Sequence, residues 1–570
     1  MPGSLYLPSF QSLFKHFLTL IISDNMKVML SNTPVTKDIY CDPKTSHSAM
    51  RPSTGIIYLG SMLGKQPAAG FPNKVADVML EDPNKKGMDE RIARFGPDVF
   101  GITVYESNIK ESAELISQVK DLNPQTLCFA GGPAASAIPN YVLRMTGADA
   151  VFQGEADITL RKTIEHLAEG KRLEDIYQPG VLVKGAFCDG ASKAIPKLTR
   201  EEYEAIEPDL SLIRHLDPDA DFRSINFAFS RGCPYQRCSF CQLPSKGGFR
   251  YLSVQKTIRL MHEISLMPNV EKLVFGDGTF SGYKDGARRI LEKMIAEGIS
   301  FKKGISAEIA VDLCLKKGSV GHREIDPEFL KLLSETGMSC ELETESLSSS
   351  QIEKFNLPRF SFKELMDILA AMKPLGIEHS GSMMLSGFDT TCEDVLEAIH
   401  RYFELKAHHP EFELDVIDSI SPYVGTGEYG KFMAALKNEA PGSFASAIKY
   451  NMVRFGGLED IGQDEPRHPY LLKTAIPLND PHLLKAMTDP RYLRVSDMDL
   501  DPEMSRAFRL VMLLKGIKRE AHQLPIGRLQ RLDLMIDIAM FAASKSDVGQ
   551  KALLLADNAE MTSPKPYNNP

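Results

Sequence analysis

The sequence has no excess of positive charge and no regular cysteine framework. Its 66 lysine and arginine residues are outnumbered by 75 aspartate and glutamate residues, which gives a formal net charge of −9. A chain with this charge has no global electrostatic attraction for nucleic acid or an anionic membrane. The nine cysteines are odd in number and mostly scattered, which argues against a secreted disulfide scaffold and favours a reducing compartment. We therefore expect a cytoplasmic protein with neither a nucleic-acid nor a membrane partner.

The start of the chain also lacks a hydrophobic run long enough to span a bilayer. The segment SLFKHFLTLIIS is shorter than the roughly 20 apolar residues that a transmembrane helix needs. It shows neither the charged first region nor the small-residue cleavage site of a signal peptide. We interpret residues 1–25 as an extension before a fold that begins at Met26. With 570 residues, the chain is long enough for about three or four domains.

Three cysteines lie within nine residues in the stretch SRGCPYQRCSFCQLP, at Cys233, Cys238 and Cys241. A structural zinc site needs four cysteine or histidine ligands, and the nearest downstream histidine, His262, lies in a segment with the pattern of an amphipathic helix. A cubane 4Fe–4S cluster suits a triad, because each thiolate holds one iron and the fourth iron stays open to a substrate or cofactor. The stretch predicts a catalytic iron–sulfur cluster, with a structural or regulatory metal site as the alternative.

Residues 26–190 alternate strand-like and helix-like patterns. Short apolar runs such as PDVFGITVY and TLCFAGGP end in small or polar residues and are separated by helical stretches such as ESAELISQVKDL. This pattern predicts a doubly wound α/β domain, whose ligands lie at the carboxyl ends of the strands. Glycines at that edge would let the backbone approach a large flat cofactor. The candidate residues at the predicted strand ends are Asn32, Thr33, Thr103, Ser107, Gly131, Gly132, Pro133, Gly154 and Glu155.

Six strand-then-helix repeats follow in residues 221–428. The strand-like segments are SINFAFSRG, VEKLVFGDG, ISFKKGISAEIAVD, MSCELETES, IEHSGSMMLSG and ELDVIDSISPYVG. Six repeats predict a partial (β/α)6 barrel, and the cysteines follow its first strand, on the carboxyl face where the sites of such barrels gather. We interpret residues 191–220 as a linker, 429–557 as a helical C-terminal domain and 558–570 as a disordered tail.

Two segments resemble the cobalamin-dependent radical SAM enzymes. Residues 94–160, from RFGPDVFGITVY to VFQGEADITL, are similar to the cobalamin-binding domain that precedes the catalytic barrel in that family, which implies a flavodoxin-like fold for residues 26–190. Arg231-Gly232-Cys233-Pro234 and Cys238-Ser239-Phe240-Cys241 match the two ends of the motif R-G-C-P-x-x-C-x-F-C. Residues 234–237 make the first spacing four residues instead of three.

The resemblance implies three cofactors, namely a 4Fe–4S cluster, S-adenosylmethionine (SAM) and cobalamin. The nine strand-end residues named above would contact cobalamin. The motif D-x-H-x-x-G is absent, and His47 and His166 are the only histidines between residues 26 and 190, so the resemblance implies no histidine below the cobalt. Ala310 stands where an arginine is frequent in the family, which leaves the partner of the SAM carboxylate open. The residues implied for SAM are Phe240 against the adenine, Asp277, Gly278 and Thr279 near the methionine amino group, Glu308 toward the ribose or carboxylate, and Glu345 and Ser346.

The function implied by the resemblance is methylation of a carbon atom in a small-molecule or peptide substrate. SAM would be cleaved to a 5′-deoxyadenosyl radical, with methylcobalamin as methyl donor and a flavodoxin or ferredoxin as external electron donor. A cobalamin-binding radical SAM cyclase or oxidoreductase is the first alternative, and a non-catalytic cobalamin or redox sensor is the second. A tRNA methylthiotransferase is disfavoured, because Cys41, Cys128 and Cys188 do not have the spacing of its second cysteine triad. The sequence assigns no catalytic acid or base.

Overall fold

The computed structural model describes the chain in two compact units, Met1–Ala220 and Asp221–Pro570. The described residues are 26–32, 54–64, 73–81, 87–105, 108–185, 195–214, 224–242, 248–268, 270–318, 323–358, 360–417, 420, 423, 425–438, 481–487, 500–521 and 526–562. Among these residues, no helix is both long and apolar enough to cross a membrane.

The N-terminal unit contains a six-stranded sheet in the order β2-β1-β3-β4-β5-β6. Its strands are β1 (Met26–Ser31), β2 (Ala76–Glu81), β3 (Val99–Thr103), β4 (Leu127–Gly131), β5 (Ala150–Phe152) and β6 (Val181–Val183). The first five strands run parallel and β6 runs antiparallel to β5. The predicted doubly wound, flavodoxin-like domain is confirmed, and its strand order reverses between β1 and β3, the place where such sheets bind ligands.

The described helices of this unit lie between its strands, except for the last two, which follow β6. They are α1 (Thr54–Leu63), α2 (Met88–Phe95), α3 (Ile109–Leu122), α4 (Pro133–Ala137), α5 (Pro139–Thr146), α6 (Asp157–Ala168), α7 (Arg200–Ala205) and α8 (Ser211–Arg214). Helix α2 ends at Gly96, which has the left-handed φ of 60° that glycine adopts without strain. Phe100, Cys128 and Ile116 belong to one buried apolar cluster between β3, β4 and α3, so the sheet and helices share a core.

The C-terminal unit contains a second six-stranded sheet in the order β16-β15-β14-β11-β10-β7. These strands are β7 (Ser224–Phe227), β10 (Lys272–Phe275), β11 (Ile305–Ala310), β14 (Met338–Glu343), β15 (His379–Met384) and β16 (Glu413–Ile417). All neighbouring pairs run parallel, and spatial order follows chain order. Each of the six predicted strand segments contains one of these strands, so the predicted partial (β/α)6 barrel is confirmed, with β7 and β16 at its two edges.

Two short ribbons, five long helices and one short helix complete the described part of the barrel. The ribbons pair β8 (Ser230–Arg231) with β9 (Arg250–Tyr251), and β12 (Leu315–Lys317) with β13 (Arg323–Ile325). The long helices that follow the strands are α9 (Val254–Ser265), α10 (Lys284–Glu297), α11 (Pro327–Glu335), α13 (Phe362–Met372) and α14 (Cys392–His408), and the short helix α12 (Ser349–Lys354) precedes α13. Capping boxes start α13 and α14 at Ser361 and Thr391, which fixes where each helix leaves its loop.

The described residues after the barrel are helical, as the sequence predicted for residues 429–557. They form α15 (Gly427–Asn438), α16 (Pro481–Met487), α17 (Pro502–Ala521), α18 (Ile526–Ala543) and α19 (Asp547–Thr562). Helix α18 packs against barrel helix α14, where Arg528 Nε lies 3.0 Å from Glu393 Oε1. The last helix runs to Thr562, five residues into the predicted disordered tail, where Ala559, Glu560 and Met561 are good helix formers.

Candidate active site

The three cysteines lie in the loop after β8, at the carboxyl end of the first barrel strand. The loop leaves β8 at Gly232, whose φ is 81°, a left-handed conformation that favours glycine. Gln236 has a φ of 52° and lies within the four residues between Cys233 and Cys238. The spacer, one residue longer than the usual motif, thus contains a left-handed turn.

The cysteine thiols suit an iron–sulfur cluster. Cys233, Cys238 and Cys241 form no disulfide within the described residues, and each is half-buried. Burial raises the pKa of the Cys233 and Cys238 thiols, and the carboxylates of Glu343 and Glu345 raise it further, so thiolates there need a positive partner such as iron. No three His, Cys, Asp or Glu side chains of the described chain converge on a single ion. In a cubane cluster each thiolate binds a different iron.

The cysteine loop is held by contacts with other parts of the barrel unit. The Ser239 N–H donates to the Phe355 carbonyl at 2.9 Å, and the Tyr235 hydroxyl donates to the Leu357 carbonyl at 2.9 Å. The ring of Phe240, predicted to lie against the adenine, is edge-on to Phe355 with centroids 6.3 Å apart. The loop therefore depends on the segment after α12 for its position.

Asp277 contributes to the same loop in a way that the sequence did not predict. It is buried, and its carboxylate accepts a hydrogen bond of 3.3 Å from the Phe229 N–H, just before β8. Burial raises the pKa of Asp277 to about 7, and this effect is larger than the lowering of the pKa by hydrogen bonds from Ser230 and Phe229. The residue predicted to contact SAM thus also connects the second strand to the start of the cysteine loop, with Gly278 beside it.

Carboxylates line the face of the barrel sheet that is turned away from its helices. Along β11, Ile305, Ala307 and Ile309 are buried while Ser306 and Glu308 are not, and along β14 the residues that retain exposure are Ser339, Glu341 and Glu343. This alternation places Glu308, Glu341 and Glu343 on one face.

Enclosure on that face changes the ionisation of these carboxyl groups. Removal from bulk water, together with the Glu341 and Asp277 carboxylates, raises the pKa of Glu308 to about 7. Burial raises the pKa of Glu343 and of Glu345, and each of them lies near further carboxylates. Glu343 Oε1 and Glu345 Oε2 are buried and make no hydrogen bond within the described residues. Such groups are costly to bury unless a positive or hydrogen-donating group reaches them, which suits the sulfonium and ammonium groups of SAM.

The structure brings together most of the residues predicted to bind SAM. Glu308 interacts electrostatically with Asp277, Glu345 with Cys238, and the Thr279 hydroxyl hydrogen-bonds to Glu343. Ser346 differs, because it is fully buried and its hydroxyl donates to Gln351 Oε1 at 2.7 Å. Sequence reasoning missed Glu341 and Glu343, although their two-residue spacing with Glu345 in ELETES was a visible signal.

The predicted cobalamin site lies at the carboxyl edge of the N-terminal sheet. Gly132 has a φ of 96°, and a Cβ there would lie 2.9 Å from Thr103 Cγ2 and 3.1 Å from the Val104 carbonyl oxygen, so the close approach of β3 and β4 requires glycine. Gly131 differs, because a Cβ would meet nothing nearer than the Phe152 carbonyl oxygen at 3.9 Å. Space above Gly131 is therefore open to a ligand, and Pro133 begins helix α4 beside it.

The other predicted cobalamin residues have different surroundings. A Cβ on Gly154 would lie 2.4 Å from Ile195 Cγ2, and the Glu155 carboxylate accepts a hydrogen bond of 2.6 Å from the Leu198 N–H. Gly154 and Glu155 thus hold the segment after residue 194, part of the span for which the sequence predicts a linker. The buried Asn32 donates its backbone N–H to the Glu81 carbonyl at 3.2 Å, and Thr33 and Ser107 lie outside the described residues.

The carboxyl edge of this sheet also holds two polar residues that sequence reasoning missed. The Ser136 hydroxyl donates to the Gly132 carbonyl and accepts from the Gly154 N–H, both at 2.9 Å. Gln153 is 8% exposed, and its Oε1 makes no hydrogen bond within the described residues. An open glycine surface beside an unpaired buried acceptor fits a flat cofactor whose side chains donate hydrogen bonds, as the amides of a corrin do.

Family models match both sheets of the chain. The B12 binding domain matches residues 52–164, and the Radical SAM superfamily matches residues 227–402, from the end of β7 into α14. The chain belongs to the cobalamin-dependent radical SAM enzymes. The predicted family, fold class and enzyme class are thereby confirmed, and so are the three predicted cofactors, a 4Fe–4S cluster, SAM and cobalamin.

Curated relatives of this radical SAM enzyme include methyltransferases and cyclases. An uncharacterized methyltransferase of Pyrococcus horikoshii is 22% identical over 408 residues, which cover 70% of this chain and 82% of the relative. The anaerobic magnesium-protoporphyrin IX monomethyl ester cyclase of Cereibacter sphaeroides is 22% identical over 364 residues, which cover 61% of this chain and 56% of the relative. At the level of the family, the prediction of a cobalamin-dependent radical SAM methyltransferase is confirmed.

Solved structures share the fold of this radical SAM enzyme. The cobalamin-dependent SAM radical enzyme OxsB, with aqua-cobalamin and SAM bound, aligns with a TM-score of 0.62 at 15% identity over 96% of this chain and 76% of OxsB. The radical SAM methyltransferase TsrM from Kitasatospora setae, with cobalamin and a [4Fe-4S] cluster bound, aligns with a TM-score of 0.56 at 13% identity over 91% of this chain and all of TsrM.

Proposed function

We propose that this enzyme transfers a methyl group to a carbon atom of a small-molecule or peptide substrate. The observation that carries the proposal is the loop of three half-buried cysteines, beside the carboxylates of Glu343 and Glu345, in a chain that also has a B12 binding domain. Relatives named as methyltransferases support transfer of a methyl group.

Residues of the barrel unit would bind and orient SAM. When bound, the iron–sulfur cluster supplies an electron for SAM cleavage and cobalamin supplies a methyl carrier. Cys233, Cys238 and Cys241 would hold the cluster, and Phe240 would lie against the adenine. Asp277 to Thr279 would contact the methionine moiety at the end of β10.

The acidic face of the barrel sheet supplies the electrostatic part of this proposal. SAM carries a sulfonium and an ammonium group, and the unpaired oxygens of Glu343 and Glu345 would accept hydrogen bonds from the ammonium or face the sulfonium. Glu308 and Glu341 lie on the same face. They would favour a substrate group that is positive or donates hydrogen bonds. The sheet and the helices around it would exclude water from the reacting groups.

The N-terminal unit would hold cobalamin at the carboxyl edge of its sheet. Gly131, Gly132 and Pro133 would pass beneath the corrin, and the space above Gly131 is open. Gln153 Oε1 would accept a hydrogen bond from a corrin amide, because it has no other donor within the described residues.

The test of this proposal is an anaerobic product assay. The enzyme is purified with a reconstituted cluster and hydroxocobalamin, then reduced in the presence of SAM. Methyl transfer predicts both 5′-deoxyadenosine and S-adenosylhomocysteine, and a Cys238→Ala variant should lose the 5′-deoxyadenosine. A flavodoxin or ferredoxin that replaces the chemical reductant would identify the electron donor.

A cyclase is the second candidate function, favoured by the similarity to the Cereibacter sphaeroides enzyme. It predicts 5′-deoxyadenosine without S-adenosylhomocysteine when candidate substrates are present. A non-catalytic cobalamin or redox sensor, the remaining alternative, predicts a bound cluster or cobalamin and no SAM cleavage after reduction.

A further inference from the structure

Ser239 lies between the second and third cysteines and is held by three hydrogen bonds from outside its loop. Its N–H donates to the Phe355 carbonyl at 2.9 Å, its hydroxyl donates to Glu428 Oε1 at 3.0 Å, and its carbonyl accepts from the Glu428 N–H at 3.0 Å. Two of the three bonds therefore go to one residue, 189 positions away in the chain. Because Ser239 follows Cys238 directly and Cys241 is two residues beyond it, its position constrains where both thiols can point.

Glu428 is a fully buried carboxylate whose two oxygens are both used. Oε1 accepts from the Ser239 hydroxyl and from Lys431 Nζ at 2.9 Å, and Oε2 accepts from the Phe388 N–H at 2.9 Å. Glu428 has 0% of its surface exposed. A buried carboxylate is strongly destabilising unless it is paired and hydrogen-bonded. Here the bonds that offset that cost come from the cysteine loop, from the loop after β15 and from Lys431 on the same helix.

Lys431 extends the contact to the loop after β15. Its Nζ lies 2.7 Å from Asp389 Oδ2 as well as 2.9 Å from Glu428 Oε1. Phe388 and Asp389 follow β15, and Glu428 lies in the first turn of α15. The contacts of Glu428 and Lys431 therefore join the cysteine loop, the loop after β15 and the start of α15, all at the carboxyl ends of the strands. The cysteine loop is thereby connected to the far side of the barrel unit by charge-assisted hydrogen bonds, the stronger kind.

The first residue of α15 permits this close approach. A Cβ on Gly427 would lie 3.2 Å from the Ser239 carbonyl oxygen and 3.4 Å from Ser239 Cβ. A larger residue at 427 would press on the cysteine loop, whereas glycine lets the helix N-terminus reach the Ser239 carbonyl.

We propose that Glu428 is a positioning residue for the iron–sulfur cluster, acting through Ser239 to fix the Cys238 and Cys241 thiols. Its carboxylate and backbone N–H hold Ser239 from both sides, and Lys431 holds the carboxylate in place. The proposal rests on cluster binding by the three cysteines and is independent of whether the enzyme transfers a methyl group or closes a ring.

The test compares Glu428→Gln, Ser239→Ala and the double variant with the wild-type enzyme, each with a reconstituted cluster. The readouts are the rate at which an iron chelator removes the cluster, followed by its visible absorbance, and the EPR spectrum of the reduced cluster before and after SAM is added. Neither readout requires a substrate or turnover. The matched control is Glu364→Gln on helix α13. The Glu364 carboxylate also accepts a hydrogen bond of 3.0 Å from a serine hydroxyl, that of Ser361, and it pairs with Arg323.

Glu428→Gln is expected to lose iron about tenfold faster than wild type, the scale of one lost hydrogen bond to a charged group, with altered EPR g-values. Ser239→Ala should change both readouts in the same direction, and the double variant should be no worse than Glu428→Gln alone, because the two residues act through one contact. Glu364→Gln should match wild type in both.

Wild-type iron loss and EPR spectra in Glu428→Gln would overturn the proposal. So would strictly additive effects in the double variant, an equal change in Glu364→Gln, or a wild-type protein that holds no cluster. If Glu428→Gln does not fold, Ser239→Ala decides alone, since it removes only a hydroxyl and leaves both backbone bonds of Ser239 in place.

Discussion

Glu308 and Glu341 stand directly opposite each other on neighbouring parallel strands, because the register of β11 and β14 pairs their Cα atoms. Like charges in this arrangement repel, and Asp277 adds a third carboxylate near Glu308. The acidic face of the barrel therefore carries an electrostatic cost in the protein without its cofactors. Binding of cationic SAM would relieve it.

The first prediction concerns stability against pH. The pKa of Glu308 rises from 4.5 to about 7 in the folded protein, so its protonation favours folding at low pH, and this contribution is lost as the pH rises through about 7. Glu308→Gln should therefore raise the unfolding temperature of the cofactor-free protein at pH 8.5 by about 2 °C, a small shift because solvent reaches this residue. The difference should vanish at pH 4.

Thermal unfolding at a series of pH values measures this effect. Glu335→Gln is the control, because Glu335 is an exposed helix carboxylate that pairs with Lys331 at 3.5 Å. Parallel curves for wild type and Glu308→Gln across the whole pH range would contradict the assignment of the raised pKa.

The second prediction separates the two cofactor sites. Cys238→Ala should abolish the absorbance of the 4Fe–4S cluster and the SAM-dependent formation of 5′-deoxyadenosine, because the remaining two thiolates cannot hold a cubane with one open iron. Cobalamin binding should be unchanged, since the B12 binding domain ends before the cysteine loop. The control is Cys128→Ala, which removes a buried thiol of the N-terminal sheet and should keep the cluster. Loss of iron from the Cys128→Ala variant would count against the assignment of Cys233, Cys238 and Cys241 as the cluster ligands.

The third prediction tests the open surface above Gly131. Gly131→Val adds a side chain where a Cβ meets only the Phe152 carbonyl oxygen, at 3.9 Å, so the fold should tolerate it. Cobalamin affinity should fall about tenfold, or ~1.4 kcal/mol, as measured by spectroscopic titration with hydroxocobalamin. Leu127→Val, at the opposite end of the same strand, should bind cobalamin like wild type. Equal affinity of Gly131→Val and wild type would place the corrin elsewhere.

The fold could be predicted from the sequence because its signals are local. Each of the six barrel strands is a short apolar run between a helix and a loop of polar or small residues, and the pattern repeats along the chain. The cysteine loop was equally visible, since its three ligands lie within nine residues. Helix α19 ends at Thr562, five residues past the boundary expected from the sequence, and residues expected to form a linker include helices α7 and α8.

The contacts that support the site could not be predicted, because they join residues far apart in the sequence. Ser239 and Glu428 are separated by 189 positions, and Asp277 and Phe229 by 48. Gly154 and Glu155 matched the expected strand end, yet the residues packed on them are Ile195 to Leu198. Sequence pattern indicates which residues reach the carboxyl edge of a sheet, but packing decides whether a ligand or another segment of the chain covers them.

The most direct test of methyl transfer is the amount of 5′-deoxyadenosine and S-adenosylhomocysteine formed by the reduced enzyme with its cluster, cobalamin and SAM. A methyltransferase of this family should form both products, and 5′-deoxyadenosine should disappear in Cys238→Ala. Formation of 5′-deoxyadenosine alone, with candidate substrates present, would contradict methyl transfer and favour ring closure or rearrangement. Absence of both products from an enzyme that holds its cluster would contradict catalysis by this chain.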